Sequence, residues 1–248
     1  MTAGDPRKII SVADPTALAQ TAADRLLARI AENAGRIAIC LTGGTSPKML
    51  YELLATEPYR GQIPWERVHW FIGDERFVPP GDSRSNMAMA RGFLLDRFAP
   101  ASHIHPIPTD TATLDDAAAR YEAELKSLYG AGALENARPL FDLVLMGVGP
   151  DGHTASLFPG FPAVDETTRW VVGVPEANVE PFVPRVSLTL PALASCREML
   201  FEVSGPAKRA VLTRVLSSDN LPASRARSNG ETVFLADAAA LPENLRGG

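Results

Sequence analysis

Short apolar runs alternate with amphipathic helical stretches along this chain of 248 residues, and that alternation constrains the fold more than any other feature. The apolar runs are continuous rather than alternating in polarity, which is typical of strands covered on both faces. Strands that alternate with helices are joined by right-handed crossovers and form parallel sheets. The sequence therefore predicts an α/β fold with a mainly parallel, Rossmann-like sheet and helices on both faces.

The boundaries of these elements follow from capping residues and periodicity. Asp14 before Pro15 is typical of a helix start, and apolar residues then recur every four positions up to Ile30. Further predicted helices cover 46–54, 86–98, 115–129 and 206–216, and Asp237 is expected to cap a short last helix. Predicted strands are 37–41, 68–72, 141–146, 170–174, 185–190, 198–203 and 232–235. The proline-rich stretch 175–184 is the only candidate boundary, so we expect a single domain over 1–248.

Composition and charge exclude several classes of function. Apolar residues make up 46% and charged residues 21%, and the net charge is -5 without a basic run, so we expect no nucleic-acid partner. No apolar stretch approaches the roughly 20 residues needed to span a membrane. Residues 1–10 do not resemble a signal peptide, and Cys40 and Cys196 are too sparse for a disulfide framework. These features favour a cytoplasmic protein.

A glycine-rich loop, Thr42-Gly43-Gly44-Thr45-Ser46-Pro47, lies between a predicted strand and a helix start. Its glycines allow close backbone approach to a ligand, and the amide hydrogens at the helix start attract anions such as phosphate. The alternative is a plain glycine turn with Ser46 as the helix cap. The loop is not a Walker motif, because the Gly-Lys-Ser/Thr ending is missing.

A charged loop, Gly73-Asp74-Glu75-Arg76, follows the next predicted strand. Taken alone, the tetrapeptide is typical of a solvated turn. A polar stretch with Asp82, Arg84, Ser85 and Asn86 comes soon after it, and Arg84 is free to reach a phosphate. Together these residues favour a lined pocket.

The loop from Gly147 to Thr154 contains His153, the most informative of four histidines. A histidine accepts a proton near neutral pH, and Asp151 is close enough in sequence to orient it. The alternative is that Asp151 accepts hydrogen bonds from amides of the loop. His69 is expected to be structural, and His103 and His105 to lie at the surface. The loop also matches the dinucleotide fingerprint Gly-x-Gly-x-x-Gly, but Pro159 and Pro162 interrupt the helix that should follow, so we interpret the match as incidental.

Read together, these motifs resemble the 6-phosphogluconolactonase family in order and spacing. The similarity is carried by Leu41 to Pro47, Gly73 to Arg76 with Val78-Pro79, Asp82-x-x-Ser85-Asn86, Gly147 to Gly160 and Gly205-Pro-x-Lys208-Arg209. Glucosamine-6-phosphate deaminases belong to the same superfamily, but they carry Asn-Glu-Pro after the histidine region. This chain has Ser156-Leu157-Phe158-Pro159 there, and Arg76 in place of the usual aromatic of the deaminases.

The resemblance implies hydrolysis of 6-phospho-D-glucono-1,5-lactone to 6-phosphogluconate in the pentose phosphate route, with a small-molecule substrate and no cofactor. His153 would be the general base, and Asp151 or a nearby main-chain carbonyl would set its tautomer. Arg76 would stabilise the oxyanion or hold the substrate, and Asp74 would bind sugar hydroxyls. The expected phosphate ligands are Gly43, Gly44, Thr45, Ser46, Arg84, Arg185 and Lys208. No metal is needed, and no strong set of zinc ligands is present. We expect a monomer or a small homo-oligomer.

Three alternatives stay open at this point. An isomerase or deaminase of an amino-sugar phosphate would use Asp74 as a base on a carbon-bound proton. A non-catalytic sugar-phosphate sensor would keep the pocket without the chemistry, although His153 beside the Asp74 to Arg76 set argues against it. Dinucleotide binding would show in a titration with NADPH.

Overall fold

The computed structural model describes residues 7–217 and 220–245. The strands are β1 (Arg7–Val12), β2 (Ile37–Leu41), β3 (Val68–Ile72), β4 (Asp74–Arg76), β5 (Ile104–His105), β6 (Phe141–Met146), β7 (Val171–Val174), β8 (Arg185–Leu188), β9 (Cys196–Val203) and β10 (Glu231–Asp237). The α-helices are α1 (Pro15–Glu32), α2 (Thr45–Leu54), α3 (Asn86–Ala90), α4 (Asp96–Phe98), α5 (Leu114–Tyr129), α6 (Leu190–Ala194), α7 (Arg209–Ser217) and α8 (Pro222–Arg225). A π-helical turn, Arg91–Leu95, joins α3 to α4. Short 3-10 helices cover Arg60–Gln62, Trp65–Arg67, Ala101–His103, Pro162–Asp165, Pro206–Lys208 and Glu243–Leu245.

The central sheet has seven strands in the order β1-β10-β9-β6-β2-β3-β5, and every pairing within it is parallel. Its inner strands are apolar runs that helices cover, and β2 and β6 are buried along their whole length. The predicted α/β fold with a mainly parallel sheet is therefore confirmed. Because the strands run the same way, the loops after β2, β3, β6 and β9 emerge at one edge of the sheet.

A second, smaller sheet has the order β4-β8-β7 and is antiparallel. Asp74 pairs with Ser187 and Arg76 with Arg185. The sequence predicted β7 and β8 as strands but gave no sign of β4, which turns the charged loop after β3 into a pairing segment. This sheet holds the charged loop against the edge where the loops of the central sheet emerge.

Capping residues fix the ends of the two long helices, and the predicted cap of α1 is confirmed. The Asp14 side chain accepts a hydrogen bond from Ala17 N, and Pro15 occupies the first turn of α1. In α5, the Thr113 side chain accepts a hydrogen bond from Asp116 N, and Gly130 ends the helix in the left-handed conformation, with φ 79°. The apolar stripes of both helices are buried, so burial of one face stabilises each of them.

Several predictions need correction. β1 was not predicted, and Asp237 caps a turn over 238–240 rather than a helix. His105 is only 6% exposed, because its ring stacks on Phe71 and its nitrogens bond His69 and Glu124 at 2.8 and 2.6 Å. The surface placement predicted for His105 is therefore wrong. The comparison of the first ten residues with a signal peptide falls largely on residues 1–6, which lie outside the described residues.

Most buried apolar side chains form one cluster that joins the central sheet, its helices and much of the smaller sheet. The organisation as a single domain over 1–248 stays a prediction. Among the helices that the described residues form, none combines the length and the hydrophobicity that a bilayer crossing requires.

Candidate functional site

A cavity of about 510 Å³ opens at the edge of the central sheet where the loops after β2, β3, β6 and β9 converge. Strands β9, β6, β2 and β3 are consecutive in the sheet, so four loops distant in sequence become neighbours. Residues of all three motifs line the cavity: Thr42, Gly43, Gly44, Thr45, Ser46, Asp74, Arg76, Gly147, Val148, Gly149, Pro150 and His153. The parallel sheet thus brings the three predicted loops together.

The glycine-rich loop presents the start of α2 to this cavity. Gly44 has φ 117°, which favours glycine, and α2 has no capping side chain at its first turn. A Cβ on Gly43 would lie 1.9 Å from Asn86 Oδ1, so only glycine lets the loop pass so close to Asn86. The hydroxyl of Tyr51, on α2, donates to Thr42 O at 2.7 Å and accepts from Thr42 N at 3.1 Å. Amide hydrogens without a protein cap are therefore held in place for an anion.

The charged loop separates two carboxylates with different tasks. Asp74 lines the cavity, and its Oδ2 accepts from Ser156 Oγ at 2.6 Å. Glu75 is buried on the other side, where Ser85 Oγ, Asn86 N and Met87 N donate to it. Burial raises the pKa of Glu75, and these hydrogen bonds oppose the shift. Glu75 anchors the start of α3, whereas Asp74 lines the cavity.

Arg76 lines the cavity beside Asp74. Its Nη1 donates to the main-chain oxygen of Arg84, while its Nε is buried without a partner among the described residues. A buried N–H without an acceptor is costly, so this donor is suited to bind an oxygen of a ligand. Arg76 is thereby oriented into the site and keeps hydrogen-bonding capacity there.

The third loop holds His153 in a defined orientation. The Nδ1 of its ring donates to Asp151 Oδ1 at 2.6 Å, and its main-chain N donates to the same oxygen at 3.0 Å. The ring lies over Gly149, where a Cβ would come within 2.0 Å of Cε1, and its other neighbour is Phe158, with centroids 4.7 Å apart. Burial opposes ionisation of Asp151, but the hydrogen bonds from His153 outweigh it and lower its pKa. The ring can therefore accept a proton at Nε2 while Asp151 holds Nδ1.

Two cations complete the lining. Lys208 reaches over from the helical turn after β9, and its Nζ donates to Val148 O at 2.7 Å. Burial lowers the pKa of the Lys208 ammonium, and the Asp151 carboxylate opposes that shift. Arg185, 2% exposed, donates to Pro181 O at 2.8 Å and so ties the loop 175–184 to the cavity wall. The site therefore combines the His153 imidazole with three cations and with carboxyl groups that include Asp74.

The structure separates two predicted residues from the lining. Asp151 touches His153 rather than the cavity, which fits a residue that orients the ring. Arg84 lies outside, because its guanidinium pairs with Asp82 at 2.7 Å and is largely exposed. This placement does not support the expected contact between Arg84 and a phosphate.

Sequence reasoning missed other residues of the lining. Glu202 and Ser204 sit where β9 ends, and Val179 and Glu180 come from the proline-rich loop. Glu202 lies within an apolar strand, and only its position next to the last residue of β9 could have pointed to the site. As predicted, the segment after Gly152 forms no α-helix, since turns and the 3-10 helix Pro162–Asp165 follow it.

Comparisons with known proteins agree with this geometry. The family model of glucosamine-6-phosphate isomerases/6-phosphogluconolactonase matches residues 13–234. A 6-phosphogluconolactonase from Nostoc sp. is 38% identical over 236 residues, covering 92% of this chain and 94% of the relative. One from Streptomyces coelicolor is 37% identical and covers 97% of both chains. The solved structure of 6-phosphogluconolactonase from Trypanosoma cruzi has a TM-score of 0.85 at 32% identity, with 97% of each chain covered. The chain therefore belongs to the family of glucosamine-6-phosphate isomerases and 6-phosphogluconolactonases.

Proposed function

We propose that this protein hydrolyses 6-phospho-D-glucono-1,5-lactone to 6-phospho-D-gluconate in the oxidative pentose phosphate pathway. The relatives at 37–38% identity carry the name 6-phosphogluconolactonase and are matched along more than nine-tenths of their length. The segment after His153 reads Ser156-Leu157-Phe158-Pro159, which resembles lactonases rather than deaminases. Both observations favour lactone hydrolysis over the other activity in the family.

One observation carries the proposal: an oriented imidazole shares its cavity with an uncapped helix start. His153 is held by Asp151 at 2.6 Å, and the loop 42–46 with Lys208 lines the same space. A phosphorylated lactone needs both features, since one end of it reacts and the other carries two negative charges. A cavity of about 510 Å³ is large enough for such a molecule.

In the reaction, His153 Nε2 takes a proton from water as the water oxygen attacks the lactone carbonyl carbon. Asp151 accepts from Nδ1 and stabilises the imidazolium that forms. The carbonyl oxygen becomes an oxyanion, which Arg76 stabilises through its charge and its unpaired Nε. When the intermediate collapses, the bond from the carbonyl carbon to the ring oxygen breaks, and that oxygen takes the proton from His153. The open-chain acid is the product.

The phosphate anchors the unreacting end of the substrate. Main-chain amides of Gly43 to Ser46 donate to it, and Lys208 supplies a positive charge. Asp74, held by Ser156, accepts from sugar hydroxyls. Arg185 adds charge at the wall of the cavity.

The proposal also covers the setting of the reaction. We infer a cytoplasmic enzyme that acts on a small molecule, as a monomer or small homo-oligomer, without a metal, a nucleic acid or a membrane as partner. Two buried, unpaired cysteines suit a reducing compartment.

Replacing His153 tests the mechanism directly. His153→Ala should lower kcat by roughly 10²–10⁴, because it removes the general base. A coupled dehydrogenase assay that measures 6-phosphogluconate, corrected for spontaneous hydrolysis, gives the rate. His103→Ala is the matched control, since His103 precedes β5 at the opposite edge of the sheet.

Each outcome has a defined meaning. Normal turnover by His153→Ala would refute the proposed base. Wild-type protein that binds 6-phosphogluconate without accelerating hydrolysis would make it a sensor rather than an enzyme. Release of ammonia from glucosamine 6-phosphate would assign it to the deaminases.

A further inference from the structure

Glu202 is a buried acid to which no group of the described residues forms a hydrogen bond. It is the next-to-last residue of β9, it is only 5% exposed, and it nevertheless lines the cavity. Neither of its carboxyl oxygens has a hydrogen-bond partner among the described residues. Buried carboxyl groups normally have partners, because an unpaired ionised carboxylate costs several kcal/mol.

Other buried carboxyl groups of this protein follow that rule. Asp74 accepts from Ser156, Glu75 from four donors, and Asp142 from Ala38 N at 2.8 Å. In the same strand as Glu202, Glu198 pairs with Arg25 at 2.5 Å and with Arg29 at 3.1 Å. Glu202 differs from them, because none of the described residues forms a hydrogen bond with its carboxyl oxygens.

Glu202 lines the same cavity as the glycine-rich loop and Lys208. On α2, the hydroxyl of Tyr51 holds the glycine-rich loop, and its pKa is raised by burial and further by Glu202. Ser204 lies two residues after Glu202, and its Oγ donates to Asp237 Oδ2 at 2.6 Å, so its hydrogen is not available to Glu202. Lys208 Nζ donates to Val148 O and makes no hydrogen bond with Glu202 in the described part of the chain. The other titratable groups of the cavity are Asp74, Arg76, His153, Glu180 and Arg185.

Without a donor or a cation, Glu202 keeps its proton at neutral pH. Burial raises its pKa to about 8. A neutral carboxylic acid donates one hydrogen bond through its O–H, and its strongest partner is an oxyanion. An ionised carboxylate at the same place would repel an anion.

We propose that Glu202 is a substrate-binding residue that, as a neutral acid, donates a hydrogen bond to a phosphate oxygen of the bound sugar phosphate. The assignment rests on the proposed function for the identity of the ligand. A phosphate monoester has its second pKa near 6, so above pH 7 it is a dianion and accepts this hydrogen bond strongly. Glu202 therefore adds a donor to the amides of the glycine-rich loop and to Lys208, and it makes phosphate binding depend on pH.

The affinity for 6-phosphogluconate should decrease as Glu202 ionises. With a pKa of about 8, the neutral fraction falls from about nine-tenths at pH 7 to about one-tenth at pH 9. The Kd should rise about tenfold over that interval if only the neutral form binds. Burial lowers the pKa of Lys208, and any effect of its charge on Kd is common to the wild type and to a Glu202 variant, so it cancels in their ratio.

The experiment measures Kd by isothermal titration calorimetry at pH 7, 8 and 9, with 6-phosphogluconate and with gluconate as a ligand that lacks phosphate. The proteins are the wild type, Glu202→Gln, Glu202→Leu and the control Glu66→Gln. Glu66 is exposed and precedes β3, at the edge opposite the cavity. Neither Glu202 variant removes a hydrogen bond, so both should fold, which thermal unfolding checks.

Glu202→Gln keeps a donor that cannot ionise, so the ratio of its Kd to that of the wild type should fall about tenfold from pH 7 to pH 9. Glu202→Leu should bind 6-phosphogluconate roughly tenfold more weakly than the wild type at pH 7. Gluconate binding should change little in either variant.

A constant Kd ratio between Glu202→Gln and the wild type overturns the proposal. So does an equal effect on gluconate, which would place Glu202 against the sugar rather than the phosphate. If both variants unfold, the wild type still decides, since a Kd that does not rise from pH 7 to pH 9 refutes the idea. Because the readout is binding, a protein that binds as expected but does not hydrolyse the lactone would refute only the proposed function.

Discussion

Gly149→Ala should displace the His153 ring while every side chain of the proposed mechanism stays chemically unchanged. This substitution is therefore the sharpest test of the geometry of the site. The added Cβ would lie 2.0 Å from His153 Cε1 and 2.1 Å from Nδ1. Carbon atoms in contact are about 3.5 Å apart, so the ring has to retreat by about 1.5 Å. That movement stretches or breaks the 2.6 Å hydrogen bond to Asp151.

A displacement of about 1 Å costs roughly 10²-fold in rate when a catalytic group must meet the reacting atoms. Gly149→Ala should therefore lower kcat by roughly 10²-fold in the lactonase assay. The glycine-rich loop and Lys208 are not displaced, so the Kd for 6-phosphogluconate should stay within about threefold of the wild type.

Gly92→Ala is the matched control for this variant. A Cβ on Gly92 meets nothing within 4 Å, and the residue is exposed in the helical segment after α3. It should keep wild-type kcat. A folded Gly149→Ala protein with wild-type turnover would contradict the idea that the position of the His153 ring sets the rate.

Three further predictions concern the proposed phosphate contact of Lys208, the ion pair of buried Glu198 and the pH dependence of stability. Lys208→Ala should raise KM at least tenfold with little change in kcat, because it acts on the unreacting end; an unchanged KM would remove it from the phosphate site. Arg25→Met removes one of the guanidinium groups that pair with buried Glu198, so it should lower the free energy of unfolding, measured in urea, by about 3 kcal/mol. The control Lys8→Met, at an exposed ion pair, should change the free energy of unfolding little. Burial and two neighbouring histidines lower the pKa of His69 from 6.5 to about 4, so its stabilising effect, complete above pH 6.5, is lost as pH falls towards 4. The urea midpoint of the wild type should drop more over that interval than that of His69→Gln, and equal drops would disprove this origin.

The sequence predicted the central sheet well because its signals are local. Continuous apolar runs mark β2, β3 and β6, and the Asp14-Pro15 cap marks the start of α1. The position of the site followed from one topological rule, that loops after parallel strands share an edge. These features depend on neighbouring residues and need no knowledge of distant contacts.

The features that the sequence did not reveal depend on distant contacts. β4 exists because Asp74 to Arg76 pair with Arg185 to Ser187, more than a hundred residues later. Burial of His105 depends on Phe71 and Glu124, from two other elements. Arg84 was expected in the pocket because its charge suits phosphate, yet Asp82, two residues away, holds its guanidinium outside. In each case a partner chosen by the tertiary fold decided the outcome.

The two hydrogen bonds between Tyr51 and Thr42 affect which parts of the site can change in sequence when a new substrate specificity evolves. The helix that begins in the glycine-rich loop also supplies the side chain that fixes the end of the preceding strand. Insertions or deletions between residues 42 and 51 would therefore disturb strand, loop and helix at once. The wall formed by Val179 and Glu180 belongs to the loop 175–184 rather than to a strand or a helix, so selection for enzymes that accept longer or bulkier phosphorylated lactones should find its solutions there.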